Sequence, residues 1–225
     1  MFKFIKPQIQ ADQEKIFRQL KLKPGSNAAE HAAEHAAHSL PQLYDLARNC
    51  LGVTTCYAVL PNQYQGILPG VDCCSHIVIG LITCSRDFET IGQQKMAEGQ
   101  HLEAYLLDHL VSEILFNAAN QLNAIIEAAL LAQGLNLTCQ YSPGENGIPP
   151  EIQGAVLELL KAEAPENHPL DVDMTESYML IPVNSLLYYY GADVGIKGQS
   201  TLHDCSQCGA VGCSFRTEKM DDDRL

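Results

Sequence analysis

One long stripe of apolar residues limits the fold more than any other feature of this chain. From Leu102 to about Gln133, apolar side chains recur at Leu102, Leu106, Leu110, Ile114, Ala118, Leu122, Ile125 and Ala129. Steps of three and four place them along one face of an α-helix, so the spacing predicts one long central helix. Gly134 follows and can end it by adopting a left-handed backbone.

The elements around this helix are mixed. Asn27 with Glu30 three residues on makes a capping-box-like start, and Ala28 to Ala37 follows as helix. Pro41 interrupts the pattern, which predicts a second short helix from Ser39 as cap to Asn49, with Leu43, Leu46 and Ala47 inward. Thr54 to Leu60 reads as a strand and Pro61 to Gly70 as a loop. His76 to Thr83 reads as a second strand through its Ile77-Val78-Ile79 run. Leu135 to Tyr141 is a short strand candidate, then comes a turn, Ser142 to Gly147. Pro149-Pro150-Glu151 starts a helix with Ile152, Val156, Leu159 and Leu160 on one side. No helix is evident after Pro165. Strand candidates Ser177 to Ile181 and Ser185 to Tyr190 are joined through Pro182-Val183-Asn184, with Tyr188, Tyr189 and Tyr190 expected to bury alternate rings and keep their hydroxyls at the edge. Strands and helices do not alternate regularly, so the fold class expected is α+β.

The 225 residues suffice for one domain with a real core, and the apolar share of 46% excludes a disordered chain. We expect a main domain over 1–200 and a cysteine-rich segment with a frayed tail over 201–225. The net charge of −13 repels phosphate backbones and anionic lipid, which argues against nucleic acid and membrane surfaces as partners and favours a partner with a basic face. No apolar run approaches the roughly 20 residues of a bilayer span, and the first seven residues do not resemble a signal peptide. These readings point to the cytoplasm, where thiols stay reduced. Nine cysteines, an odd number, then suggest metal or redox chemistry over a disulfide framework.

Four stretches carry a likeness to a known family. They are Leu68-Pro69-Gly70-Val71-Asp72-Cys73-Cys74-Ser75-His76 with the strand after it, the helix segment Leu106 to Glu113, Tyr141-Ser142-Pro143-Gly144 with the helix start that follows, and Met174-Thr175-Glu176-Ser177-Tyr178-Met179-Leu180-Ile181-Pro182-Val183-Asn184-Ser185. In order and spacing they resemble short, free-standing bacterial proteins related to the activation domain of cobalamin-dependent methionine synthase, over roughly Pro24 to Arg216. The resemblance implies one α+β domain with a bent antiparallel sheet and flanking helices. It also implies S-adenosylmethionine as ligand and methyl donor, reductive methylation of cob(II)alamin on a partner corrinoid protein, and an electron from flavodoxin or a similar donor. Ser142, Pro143, Gly144 and Glu145 with Thr175, Glu176 and Ser177 are the ligand-binding positions it suggests. The family has a functional acid on its long helix, for which Glu113 is the candidate here. Nothing in the chain looks like a cobalamin-binding Asp-x-His-x-x-Gly loop, so the corrinoid would be the partner's.

The residues themselves fit that chemistry in part. A Pro-Gly turn lets backbone approach a ligand, and the helix start after it is expected to offer free amides to a carboxylate. A carboxylate such as Glu176 would suit a sulfonium. Where the family turn reads Arg-x-(Ser/Ala)-Pro-Gly-Tyr, however, this chain has Gln140 and Glu145. Gln140 cannot make the bidentate, charge-assisted bond that Arg gives a carboxylate. A plain strand-to-helix loop remains the alternative for this turn.

A second candidate site is Cys205, Cys208 and Cys213, a C-x2-C-x4-C pattern with His203 just upstream. Two thiolates on a C-x2-C turn reach one metal, and zinc or an iron–sulfur cluster both suit such ligands. Reduced thiols in a loop are the alternative, and a metal module without methyl-donor function is the alternative for the chain as a whole. The adjacent Cys73 and Cys74 are expected to pack as small apolar residues, and His31, His35 and His38 to lie on a solvated helix face. No P-loop, Gly-x-Gly-x-x-Gly, His-Glu-x-x-His or Gly-x-Ser-x-Gly motif occurs.

Overall fold

The structure, a computed structural model, describes residues 1–19, 27–50, 52–145 and 147–197. Among them the chain forms five helices, a five-stranded sheet and a two-stranded hairpin. In order these are β1 (Phe2–Ile5), α1 (Gln13–Gln19), α2 (Asn27–Cys50), β2 (Val53–Pro61), β3 (His76–Cys84), α3 (Asp87–Ala97), α4 (His101–Leu131), β4 (Asn136–Leu137), α5 (Ile152–Glu163), β5 (Asp173–Met174), β6 (Leu180–Ile181) and β7 (Ser185–Asp193). The larger sheet runs β1-β2-β3-β7-β4 with every neighbouring pair antiparallel. The α+β expectation holds, and α4 is its long central helix.

The three longest strands are buried on both faces, so alternate residues enter two separate cores. Tyr57, Val78, Ile82, Tyr188 and Tyr190 point to the side covered by α2 and α4, where Leu106, Leu110, Ile114, Ala118 and Leu122 meet them. Cys56, Ala58, Ile77, Ile79, Leu81 and Tyr189 point the other way, onto Val156, Leu157 and Leu160 of α5 and Leu180 of β6. Each fully buried aliphatic side chain stabilises the fold by about 1.5–3 kcal/mol before entropy is counted.

Several local expectations need correction. The region 27–50 is one helix, not two, with Pro41 inside it. Proline forfeits one backbone hydrogen bond there. Its ring lies on the exposed side, and Ala36, Leu40, Leu43 and Ala47, spaced four, three and four apart, bury a continuous face across it. That tertiary burial outweighs the local break; Leu46 is only half-buried. On α4 the buried stripe ends through Ile126 and Leu130, while Ile125 is 38% exposed and Ala129 half-buried. The stripe keeps a step of four against a helical period of 3.6, so it winds around the helix as its neighbours change.

Contrary to the sequence expectation, α4 is long and apolar enough, by length and composition alone, to cross a membrane. In this fold it buries fifteen of its residues against the sheet and the helices beside it, as a core helix does. Cys74 is buried as expected, whereas Cys73 is exposed. His31, His35 and His38 do lie on the exposed face of α2. There the His35 Nε2 is 3.3 Å from Glu103 of α4.

Candidate functional site

The site is built where the chain returns from α4 to the edge of the sheet. After β4, Thr138 N–H donates to the carbonyl of Gly191 at 2.9 Å, and the Gly191 N–H donates back to Thr138 Oγ1 at 2.9 Å. Three residues later Tyr141 and Tyr189 exchange both backbone bonds at 2.9 Å. Cys139 and Gln140 therefore oppose the single residue Tyr190, which is the arrangement of a β-bulge. The bulge turns these two side chains out of the ladder. A cavity of about 310 Å³ opens beside them, lined by Pro69, Cys139, Gln140, Tyr141, Ser142, Gly147 and Ile148.

Gln140 is held from behind by the core. Its Oε1 accepts from the Tyr190 hydroxyl at 3.0 Å and from Asn123 Nδ2 at 3.4 Å, and its Nε2 faces Ser142 Oγ at 3.4 Å. Asn123, on α4, is itself oriented by the Tyr188 hydroxyl, which donates to its Oδ1 at 2.6 Å. Tyr189, on the opposite face of β7, donates to the carbonyl of Pro69 at 3.0 Å, and Tyr141 donates to that of Gly70 at 3.1 Å. The three consecutive tyrosines thus bury all their rings, in both cores, and spend their hydroxyls internally; the expectation of hydroxyls left at the edge is corrected. Buried polar groups need partners, and these residues supply them to one another and to the loop. Burial pushes the Tyr189 phenol up to about 12, and burial followed by the neighbouring Cys139 holds Tyr141 above its ordinary range. Neither phenol is poised to give up a proton near neutral pH.

Ser142 to Glu145, with Gly147 beyond them, form a turn where the sequence places one. Gly144 sits at φ +88°, a left-handed conformation that side chains resist, and its N–H donates to Ile148 at 3.0 Å. Ser142 lines the cavity, with Pro143, Gly144 and the exposed Glu145 continuing the turn beside it. The first three amides of α5, expected to be free, are engaged. The N–H groups of Ile152, Gln153 and Gly154 donate to the carbonyls of Pro149, Pro150 and Glu151 at 3.2, 3.0 and 3.2 Å. Pro149 and Pro150 have no N–H, and the tight i→i+3 turns take up the amides that follow.

Thr175, Glu176 and Ser177 form the tip of the β5–β6 hairpin and do not line the cavity. The Thr175 and Ser177 hydroxyls are 3.0 Å apart, and Met179 N–H donates to Thr175 Oγ1 at 3.0 Å. Ser177 therefore belongs to the turn and not to the strand expected from it. Tyr178 holds φ +64° beside it. Gln153 at the start of α5 donates to the Tyr178 carbonyl at 2.5 Å, so hairpin and Ser-Pro-Gly turn flank the same end of one helix.

Glu113 lies elsewhere. It is buried on α4, with Lys15 of α1 2.7 Å from its Oε2 and Asn117 donating to its Oε1 at 3.2 Å. It stands ten residues, roughly 15 Å of helix, from Asn123, and its visible role is to fasten α1 to α4. His109, also on α4, is buried against Tyr105 at 4.3 Å, and burial lowers its pKa. Cys205, Cys208, Cys213 and His203 lie outside the described residues. Among the described residues no group of three or more His, Cys, Asp or Glu side chains is placed to hold a metal. Sequence reading missed Asn123, Tyr188 and Tyr190 as site residues. Their only signal was polarity inside apolar stretches, on the buried side of α4 and in the tyrosine run.

The described residues thus form an α+β fold with a sheet between two cores and a small cavity at the sheet's bulged edge, whose described lining carries no charged side chain. No family model matches the chain, and no curated protein resembles it in sequence. Among solved structures it is similar to the MetH reactivation domain bound to AdoHcy, with a TM-score of 0.63 and 12% identity, covering 89% of this chain and 81% of that one. At that identity the likeness is one of fold.

Proposed function

We propose that this chain is an accessory protein of a corrinoid enzyme, supporting reductive methylation of cob(II)alamin on a partner with S-adenosylmethionine as methyl donor. The observation that carries the reading is the fold it shares with a reactivation domain bound to AdoHcy. The Ser142-Pro143-Gly144 turn beside a cavity at the sheet edge supports it. In the reaction the sulfonium loses its methyl group to the partner's cobalt. One electron comes from flavodoxin or a similar donor, and neutral AdoHcy leaves. The protein's share would be to hold the donor and present it, which is catalysis by positioning. The excess of acidic residues, net −13 over the chain, favours a corrinoid partner or an electron donor with a basic docking face.

The test is an anaerobic assay with a cob(II)alamin-loaded corrinoid protein, a chemical or flavodoxin reductant and methyl-labelled S-adenosylmethionine. Label should reach the cobalamin only when this chain is present. Equal labelling without it, over a panel of corrinoid partners, would refute the proposal.

A further inference from the structure

We propose that the cavity at the β4–β7 edge recognises the neutral purine nucleoside part of its ligand and gives no anchor to a carboxylate. The proposal rests on the adenosyl-ligand reading above and narrows it. Four observations converge on it.

First, no Lys or Arg is among the lining residues, and the nearest charged residue along the turn is the acidic Glu145. Among the described lining residues a carboxylate therefore finds no cationic partner.

Second, Gln140 is tied into a hydrogen-bond network at its inner side. Tyr188 donates to Asn123 Oδ1, which leaves the Asn123 amide nitrogen to donate to Gln140 Oε1, where Tyr190 also donates. The Gln140 carbonyl is thereby taken, and its NH2 donates to Ser142 Oγ at 3.4 Å. One of those two N–H donors remains for a ligand. A single neutral donor matches a purine ring nitrogen; it is a poor substitute for the paired, charge-assisted contact a carboxylate needs.

Third, at the helix start that could have served an anion, the amides of Ile152, Gln153 and Gly154 are engaged by the Pro149, Pro150 and Glu151 carbonyls.

Fourth, the walls suit a flat ring. Pro69, Tyr141 and Ile148 are the apolar lining, and Tyr141 is kept in place by stacking on Tyr189 at 5.4 Å and 27°. Rings of this kind are favourable stacking partners for heteroaromatic ligands. The volume, about 310 Å³, is near the lower end of the ~300–1,000 Å³ typical of small-ligand sites. That is room for a nucleoside.

Calorimetric titration of the full chain with 5′-methylthioadenosine, AdoHcy and S-adenosylmethionine tests this, because the first lacks the amino-acid end. We expect methylthioadenosine and AdoHcy to bind within about threefold of each other. Gln140→Arg should then favour AdoHcy over methylthioadenosine by about tenfold or more, by supplying the missing charged pair. If that variant does not fold, Gln140→Ala should weaken both ligands by the same factor. A wild-type preference for AdoHcy of about tenfold or more would overturn the inference and leave the methyl-donor reading standing. Methylthioadenosine binding without S-adenosylmethionine binding would uphold the inference and end the methyl-donor reading. Binding of none of the three would end both.

Discussion

Replacing Gly80 by alanine tests the contact that sets the site's rear wall. Gly80 lies mid-strand in β3, directly across from Tyr188 of β7. A Cβ there would stand 2.6 Å from Tyr188 Cε2 and 2.7 Å from Cζ, closer than unbonded carbons tolerate. The ring has no room to yield: Tyr188 is 2% exposed and its hydroxyl is fixed to Asn123. Overpacking of this kind costs about 1–3 kcal/mol. Tilting the ring to relieve it would also weaken the Asn123 bond, worth about 0.5–1.5 kcal/mol net. Alanine offsets part of the loss, about 0.4–1 kcal/mol, by restricting the unfolded chain. A net destabilisation of about 2 kcal/mol follows, or roughly 4–8 °C in Tm for a chain of this size. Urea unfolding followed by circular dichroism should show a lower midpoint at unchanged slope. Gly92→Ala, in α3 with no heavy atom within 4 Å of its new Cβ, should instead stabilise by about 0.5–1 kcal/mol through helix propensity. Adding Gly80→Ala to a Tyr188→Leu background should cost less than half as much as in the wild type. A Gly80→Ala protein as stable as the wild type, or an undiminished penalty beside Leu, would refute the steric argument.

Three further outcomes are expected. Lys15→Met should destabilise by about 1–3 kcal/mol, because it strips the buried Glu113 of its cation, yet leave ligand titrations unchanged. Weakened ligand binding in the folded variant would return Glu113 to the site. The hydrogen bond from Lys95, with a lesser one from His35, holds the Glu103 carboxyl below its usual 4.5 despite the opposing effect of partial burial. A carboxyl depressed in the folded state adds stability above its unfolded pKa and loses it as pH falls through the folded value. The gap in urea midpoint between wild type and Glu103→Gln should accordingly shrink from neutral pH to about pH 3; a constant gap would contradict the assignment. If the Cys205, Cys208 and Cys213 pattern with His203 holds metal, anaerobically purified protein should carry near-stoichiometric zinc or iron that Cys208→Ser removes. A metal-free chain would leave these cysteines as ordinary thiols.

What the sequence discloses here is what local periodicity encodes. The stripe of α4, the β-branched run of β3, the Pro-Gly turn and the proline-led α5 each carry a short-range pattern, and each is present. Elements held chiefly by distant partners escaped. The strand β1 is four residues long and exists by pairing with β2. The helix α3 buries only Phe88 fully and so has no apolar stripe to read. The helix α2 survives Pro41 because its inner face is committed to the core, which no local rule weighs. The bulge at Cys139 and Gln140 exists only relative to β7, some fifty residues later.

The site's chemistry was hidden for the same reason, and this bears on how its specificity can change. Read alone, Gln140 is one polar residue before a Ser-Pro-Gly turn. In the structure it is one member of a chain running Tyr188, Asn123, Gln140, Tyr190, in which each carbonyl oxygen receives a donor. Arginine at 140 would offer donors only, leaving Tyr190 and Asn123 to find new acceptors inside the core. Because Tyr188 and Tyr190 also belong to the apolar core under α4, placing an arginine at 140 should lower stability unless Asn123 or Tyr190 changes with it. On the proposed reading of the cavity, ligand preference and stability are coupled through one amide. Pairing Gln140→Arg with Asn123→Asp, which gives the cation an acceptor, should recover stability lost by the single change; two additive losses would show that the coupling is absent.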